Sequence, residues 1–342
     1  MAIGVEEQVN AALAAAEAET ASPADRAEML MEIAIGLQVK PRSPQELIVA
    51  VELYERALTL CPPEQPLLAA RIRARKATAL QALPEAGTDS LDKAREALDE
   101  ALPVIRTDGA PEELAEIEMN LGLVLQSLAG AGKARITDAI SAYQRALRTF
   151  DRARFPKEYA ILQNNLATAF LSIPFADERA KMREALAVQA FEEGLKVVNL
   201  IDHPAEYAML QNNLGNALQY ASSSHAVENN VRALEAYDEA LKVRTREAMP
   251  VAYANTIANK ANCVWNLPDD PENQDAGNRQ NLAIAARLYA EAREIFNAAG
   301  EQEKARIMAE AIDQISRESL SVAHTNRTGS ANGHRREGDQ VQ

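Results

Sequence analysis

Apolar positions recur along most of this chain at helical spacing, in one arrangement used six times. An alanine, a large apolar residue four places on and a small residue three beyond it stand at Ala50/Tyr54/Ala57, Ala94/Leu98/Ala101 and Ala139/Tyr143/Ala146. The same set recurs at Ala187/Phe191/Gly194, Ala233/Tyr237/Ala240 and Ala285/Tyr289/Ala292. Spacings of four and three put these side chains on one stripe of a helix. A leucine follows the small residue in the first five copies and Arg293 follows it in the sixth. Between these helices the pattern predicts another kind of helix, in which a large residue precedes a small one: Leu121-Gly122, Leu166-Ala167 and Leu214-Gly215. Lys76-Ala77 and Lys260-Ala261 occupy the same place, with a lysine stem in the position of the leucine. Small residues let a neighbouring helix approach closely, and the aromatic fills the space beside them.

Prolines punctuate the pattern. Ala110-Pro111, Phe155-Pro156, His203-Pro204 and Met249-Pro250 mark four starts of the first kind of helix, since proline suits the first helical turn. From proline to proline the steps are 45, 48 and 46 residues. Self-similarity at such a period predicts a solenoid of helical hairpins. From the leucine of one second helix to the Leu or Lys of the next first helix is 19 residues four times and 18 once. The connection inside the hairpins varies: 14 residues from Leu125 to Ala139, 15 from Leu218 to Ala233, 17 from Phe170 to Ala187 and 21 from Val264 to Ala285. One edge of the stack is therefore constant and the other tolerates insertion. The largest insertion, NLPDDPENQDAGN (266–278), is acidic and rich in turn formers, and reads either as a binding loop or as a tolerated surface insertion.

The large-Gly-x-Ala-large first helix and the Ala-x-x-x-Tyr-x-x-Ala-Leu second helix resemble the tetratricopeptide repeat (TPR), over residues 24 to about 300. The likeness is greatest to a bacterial long-repeat sub-type, here read as LQNNLGNAL (210–218), AYDEAL (236–241) and RTRE (244–247). The resemblance implies an all-α fold: a right-handed α-solenoid, a TPR-like superhelix of about six antiparallel helix pairs with a C-terminal capping helix. The expected pairs are 24–62, 63–108, 109–154, 155–202, 203–248 and 249–300. An N-terminal helix over 1–22 precedes them, and a capping helix over 301–322 follows, with its apolar period through Ala305, Met308, Ile312 and Ile315. The tail 323–342 has no apolar period and is expected to be disordered.

Composition agrees, with 4% aromatics and no apolar run near the roughly 20 residues that a membrane span needs. The formal net charge of −14 argues against nucleic acid and against an anionic membrane as partner. Glu6 and Glu7 stand where a signal peptide carries positive charge, so a cytoplasmic protein is expected. Cys61 and Cys263 form no metal or redox motif and read as small buried residues. The four histidines are scattered without metal spacing, and there is no phosphate-cradling glycine loop or nucleophile motif. No catalytic activity, no metal and no cofactor are expected.

The chemistry-bearing signal is polar. The resemblance places one face of each first helix on the concave side of the superhelix, and carries Asn164, Thr168, Asn212, Asn216, Gln219, Asn255 and Asn262 to or near that face. Arg71, Thr78, Gln81, Glu116, Gln126, Tyr220 and Trp265 join them. Asparagine is disfavoured within helices because its side chain competes for backbone hydrogen bonds, so a series of them implies a compensating contact. Amides donate and accept at once and can hold an extended peptide backbone. A second row, Asn120, Asn165, Asn213 and Asn259, with Arg75 in an earlier unit, holds one repeat position and reads as structural, bonding between repeats. Asn216 and Asn262 stand where some relatives clamp a C-terminal carboxylate, but Asn212 and Ala258 replace the lysine that such a clamp needs. Arg71 and Arg75, one turn apart, read either as a dock for an acidic segment or as a face paired with local glutamates. Trp265 reads as a partner anchor or as packing against the 266–278 loop.

The expected function is a non-catalytic protein–protein interaction scaffold or adaptor that binds a partner segment in its concave groove. The alternatives are a chaperone-like assembly or maturation factor for a multi-subunit enzyme and a peptide-sensing regulatory protein.

Overall fold

A computed structural model describes residues 21–83, 87–174, 178–221, 225–273 and 277–333. Nearly all of the expected N-terminal helix and the last nine residues lie outside this set. Among the described residues are thirteen helices and no strand. The only β-type pairing among them is an isolated bridge between Asp270 and Asn273. No described helix is long and apolar enough to cross a membrane.

The chain divides into two compact units, one through Pro174 and one from Phe175. The first unit holds α1 (Pro23–Val39), α2 (Pro44–Leu60), α3 (Pro66–Ala82), α4 (Gly87–Asp108), α5 (Pro111–Gly130), α6 (Ile136–Ala146) and α7 (Pro156–Leu171). The second holds α8 (Glu178–Leu195), α9 (Pro204–Gln219), α10 (Ala226–Leu241), α11 (Pro250–Trp265), α12 (Arg279–Ala298) and α13 (Gln302–Gly333). Within the first unit α1 packs on α2, α3 on α4 and α5 on α6; within the second α9 packs on α10, α11 on α12, and α12 on α13. This is the all-helical tandem-hairpin solenoid that the sequence pattern predicts. Seven helices open on proline, where the missing N–H costs nothing because no partner exists for it in the first turn.

The hairpins close as the small and large positions require. The Ala-large-small stripe of every second helix is buried, and Tyr54, Tyr143, Phe191 and Tyr237 are fully so. Gly122 and Gly215 lie directly against the Tyr143 and Tyr237 rings: a Cβ at Gly122 would sit 2.3 Å from Tyr143 Cε1, and one at Gly215 would sit 2.6 Å from Tyr237 Cε1. The two lysines that interrupt the leucine position are ion-paired. Lys76 Nζ is 3.0 Å from Glu55, and Lys260 pairs with Asp238. Each acid directly follows the tyrosine of the preceding second helix, so the stem packs while the ammonium reaches a carboxylate.

The constant edge also has a local cause. The residue five places before each of the last three first-helix prolines, Asp151, Asn199 or Thr245, folds the connection with its own side chain. Asp151 Oδ1 accepts from the backbone N–H of Ala153 and Arg154, Asn199 Oδ1 from those of Ile201 and Asp202, and Thr245 Oγ1 from that of Ala248. In all three, the residue before the proline donates its N–H to the carbonyl of that same turn residue, at 3.0, 3.1 and 2.9 Å. Side-chain turns of this kind set a fixed length, which holds these three connections alike.

The last helix packs Ala305, Met308 and Ile315 into the core made by α11 and α12. Its backbone continues to Gly333, past the end near 322 that the apolar period suggests. Once nucleated on packed turns, a helix extends without needing further burial.

Candidate partner-binding site

The polar face of the first helices is knit together by hydrogen bonds, and the end of α11 opens onto a cavity. In the first unit Arg71 forks onto Glu113, with Nε to Oε1 at 2.6 Å and Nη2 to Oε2 at 3.2 Å. Arg75 bonds Glu116 in the same way at 2.7 and 3.4 Å. Both pairs tie α3 to α5. Arg73 pairs with Glu100 and Lys76 with Glu55, so every cation of this basic stretch faces a carboxylate. Asn120 is buried beside these pairs, lining a small cavity of about 50 Å³ with Arg71 and Arg75. Gln126 Nε2 donates to Thr168 Oγ1 at 3.2 Å, joining α5 to α7, and Thr168 donates to the Asn165 carbonyl. Asn164 is buried and donates to Asn165 Oδ1 at 3.3 Å, while Asn165 Nδ2 is buried without a partner.

The second unit repeats the theme with amides. Asn212 donates to Asn213 Oδ1 at 3.1 Å and accepts at 3.0 Å from the hydroxyl of Thr256, a fully buried residue on α11. Arg244 reaches the same hydroxyl, and burial lowers the pKa of its guanidinium. Asn216 Oδ1 and Gln219 Oε1 each lie 2.8 Å from the Tyr237 hydroxyl, whose single proton serves one of them at a time. Asn262 Nδ2 donates to the hydroxyl of Tyr220, an exposed aromatic at the end of α9. Asn259 is half-buried on α11.

A repeat position that sequence reasoning missed explains several of these contacts. The fifteenth residue after each first-helix proline is Gln38, Gln81, Gln126, Leu171, Gln219 and finally Trp265. Where the second helix supplies a tyrosine, the glutamine accepts its hydroxyl: Tyr54 to Gln38 at 2.7 Å, and Tyr143 to Gln126 and Tyr237 to Gln219 at 2.8 Å. Burial raises the pKa of these phenols, so each stays a neutral donor. In the last hairpin Trp265 takes the glutamine's place. An indole only donates, so it cannot accept from Tyr289. Instead the two rings meet edge to face, with centroids 6.3 Å apart, and Trp265 Nε1 donates to Glu318 of α13 at 2.8 Å.

The cavity lies beside that indole. It has a volume of about 650 Å³, and Asn262, Trp265, Asn266, Asn278, Gln314 and Glu318 supply its polar wall. Val227, Leu267, Pro268 and Gly277 complete the lining. Residues 266–268 and 277–278 of the insertion thus form one wall, and these described ends are pinned. Asp269 accepts from the backbone N–H of Gln280 and Asn281 at the start of α12, and the Asn281 amide donates to the carbonyls of Leu267 and Pro268. Gly277 takes a φ of +76°, which a side chain would resist. Of the expected site residues the structure brings Asn262 and Trp265 together in this cavity. Asn216 and Gln219 meet on Tyr237, and Arg71 and Arg75 lie in the other unit.

No family model matches the chain, and no curated protein matches it. Solved structures do. A Signal Transduction ATPase with Numerous Domains (STAND) protein with a tetratricopeptide repeat sensor, from Pyrococcus horikoshii, is 14% identical with a TM-score of 0.57, over 89% of this chain and 41% of that one. The chain therefore spans about two-fifths of the STAND protein's length. A Rap protein complexed with competence and sporulation factor is 15% identical (TM-score 0.49; 92% of this chain and 81% of that one). BtubC from P. vanneervenii is 18% identical (TM-score 0.42; 88% and 95%). The fold is that of tetratricopeptide-repeat proteins.

Proposed function

We propose that this chain is a protein-interaction scaffold that receives an extended segment of a partner protein in the cavity between the end of α11 and α13. The observation that carries this reading is the open cavity of about 650 Å³ where Asn262, Asn266, Asn278 and Gln314 surround a half-buried indole. Amides donate and accept together, which suits the alternating N–H and C=O groups of an extended backbone. Tryptophan is the residue most enriched at binding hot spots, because its large rigid surface loses little entropy on contact. Tyr220, 69% exposed and hydrogen-bonded to Asn262, extends the aromatic surface beyond the cavity. In the first unit the corresponding charges are matched within the fold, so its first-helix face offers a partner less.

The test is recovery of bound proteins from native cells by the wild type and by an Asn262→Ala/Trp265→Phe variant, with Lys133→Ala in the first unit as control. The double variant should lose its partner while remaining helical by circular dichroism, and the control should keep it. Equal recovery by all three would refute the placement of the site.

A further inference from the structure

The charge of the cavity wall specifies what it takes. Among the described lining residues Glu318 is the only ionisable one. The described part of the insertion next to this wall adds Asp269, Asp270 and Glu272 and no basic residue. Glu318 is held on the wall by two donors: Trp265 Nε1 at 2.8 Å to Oε2, and Gln314 Nε2 at 3.2 Å to Oε1. A carboxylate fixed beside an indole attracts a cation twice, through its own charge and through the ring, whose face is electron-rich. Resting on the scaffold reading above, we propose that the cavity accepts an arginine or lysine side chain of the partner segment, seated against the hydrogen-bonded Trp265–Glu318 pair. The surrounding amides then hold the backbone on either side of it. The net charge of −14 acts in the same direction at longer range, drawing a basic segment to the protein before the specific contact forms.

The experiment is a selection of random dodecapeptides by the purified full-length chain, its Glu318→Gln variant and, as a charge-matched control, Glu64→Gln in the first unit. Affinities of enriched peptides are then read from the emission of Trp265, the sole tryptophan. Wild type and control should both enrich peptides that carry arginine or lysine. Glu318→Gln should lose the preference, and replacing the key arginine of a selected peptide with neutral, isosteric citrulline should weaken binding about tenfold or more. The citrulline comparison leaves the protein unaltered, so it decides the matter even where Glu318→Gln loosens α13. Enrichment without basic residues, or equal binding of the citrulline peptide, would overturn the cationic assignment while the scaffold reading stands. No enrichment of any sequence would remove both. A dimer that Glu318→Gln abolishes, with no peptide selected, would give the cavity to a second copy of the chain and overturn the proposal.

Discussion

Replacing Gly215 with alanine sets two effects of known sign against each other. Within a helix, alanine is favoured over glycine by about 1 kcal/mol, so an unobstructed site gains stability. At Gly215 the new methyl carbon would lie 2.6 Å from Tyr237 Cε1 and 2.9 Å from Cδ1 and Cζ. Carbon atoms pack best at about 3.5–4.0 Å, so the ring or the helix must yield by roughly 0.9 Å. The ring has nowhere to go, being fully buried with its hydroxyl held by Asn216 and Gln219. Overpacking of this kind costs about 1–3 kcal/mol, which leaves a net loss of up to about 2 kcal/mol after the helical gain. The assay is urea unfolding followed by the emission of Trp265, which reports the second unit. Gly36→Ala, where a Cβ meets nothing within 4 Å, should instead stabilise the first unit by up to about 1 kcal/mol by circular dichroism. In a Tyr237→Leu background the cost of Gly215→Ala should shrink or reverse. A Gly215→Ala that stabilises the wild type by the full ~1 kcal/mol of an unobstructed site would show that ring contact does not set the hairpin spacing.

Three further outcomes follow from the same contacts. Tyr237→Phe leaves Asn216 and Gln219 without their shared donor and should cost about 1–2 kcal/mol in urea unfolding, with no change in helicity. Arg71→Ala should cost under about 1 kcal/mol near neutral pH, because the pair is largely solvent-screened. The Arg71 guanidinium holds the Glu113 carboxyl below its usual range, so this contribution is present above the ordinary value of about 4.3 and lost as pH falls through the depressed one. The stability difference between wild type and variant should therefore vanish in acid; a difference that persists at pH 3 would exclude the pair as its source. Burial pushes the Cys263 thiol up to about 12, and it also donates to the Asn230 carbonyl. A thiol reagent at pH 8 should thus modify the half-buried Cys61 first and reach Cys263 only on unfolding, which mass spectrometry of the two peptides would show.

The sequence by itself determined the helical hairpins, the face that each helix buries and the pairing of small positions with large ones. These follow from positions a few residues apart on one helix, where spacing alone assigns a face and burial of that face selects it. It also determined that one edge of the stack is constant, although the turn residues Asp151, Asn199 and Thr245 that fix it show no common residue type. What only the tertiary structure decided is where the polar side chains spend their hydrogen bonds. Arg71 finds Glu113 42 residues away, and Trp265 finds Glu318 at a separation of 53. Such pairs depend on the offset and rotation of neighbouring helices to within an ångström, which an apolar period does not encode. Glu318 carried no signal at all, since a glutamate on a helix with an otherwise ordinary polar face is simply a solvated charge until the partner helix brings an indole to it.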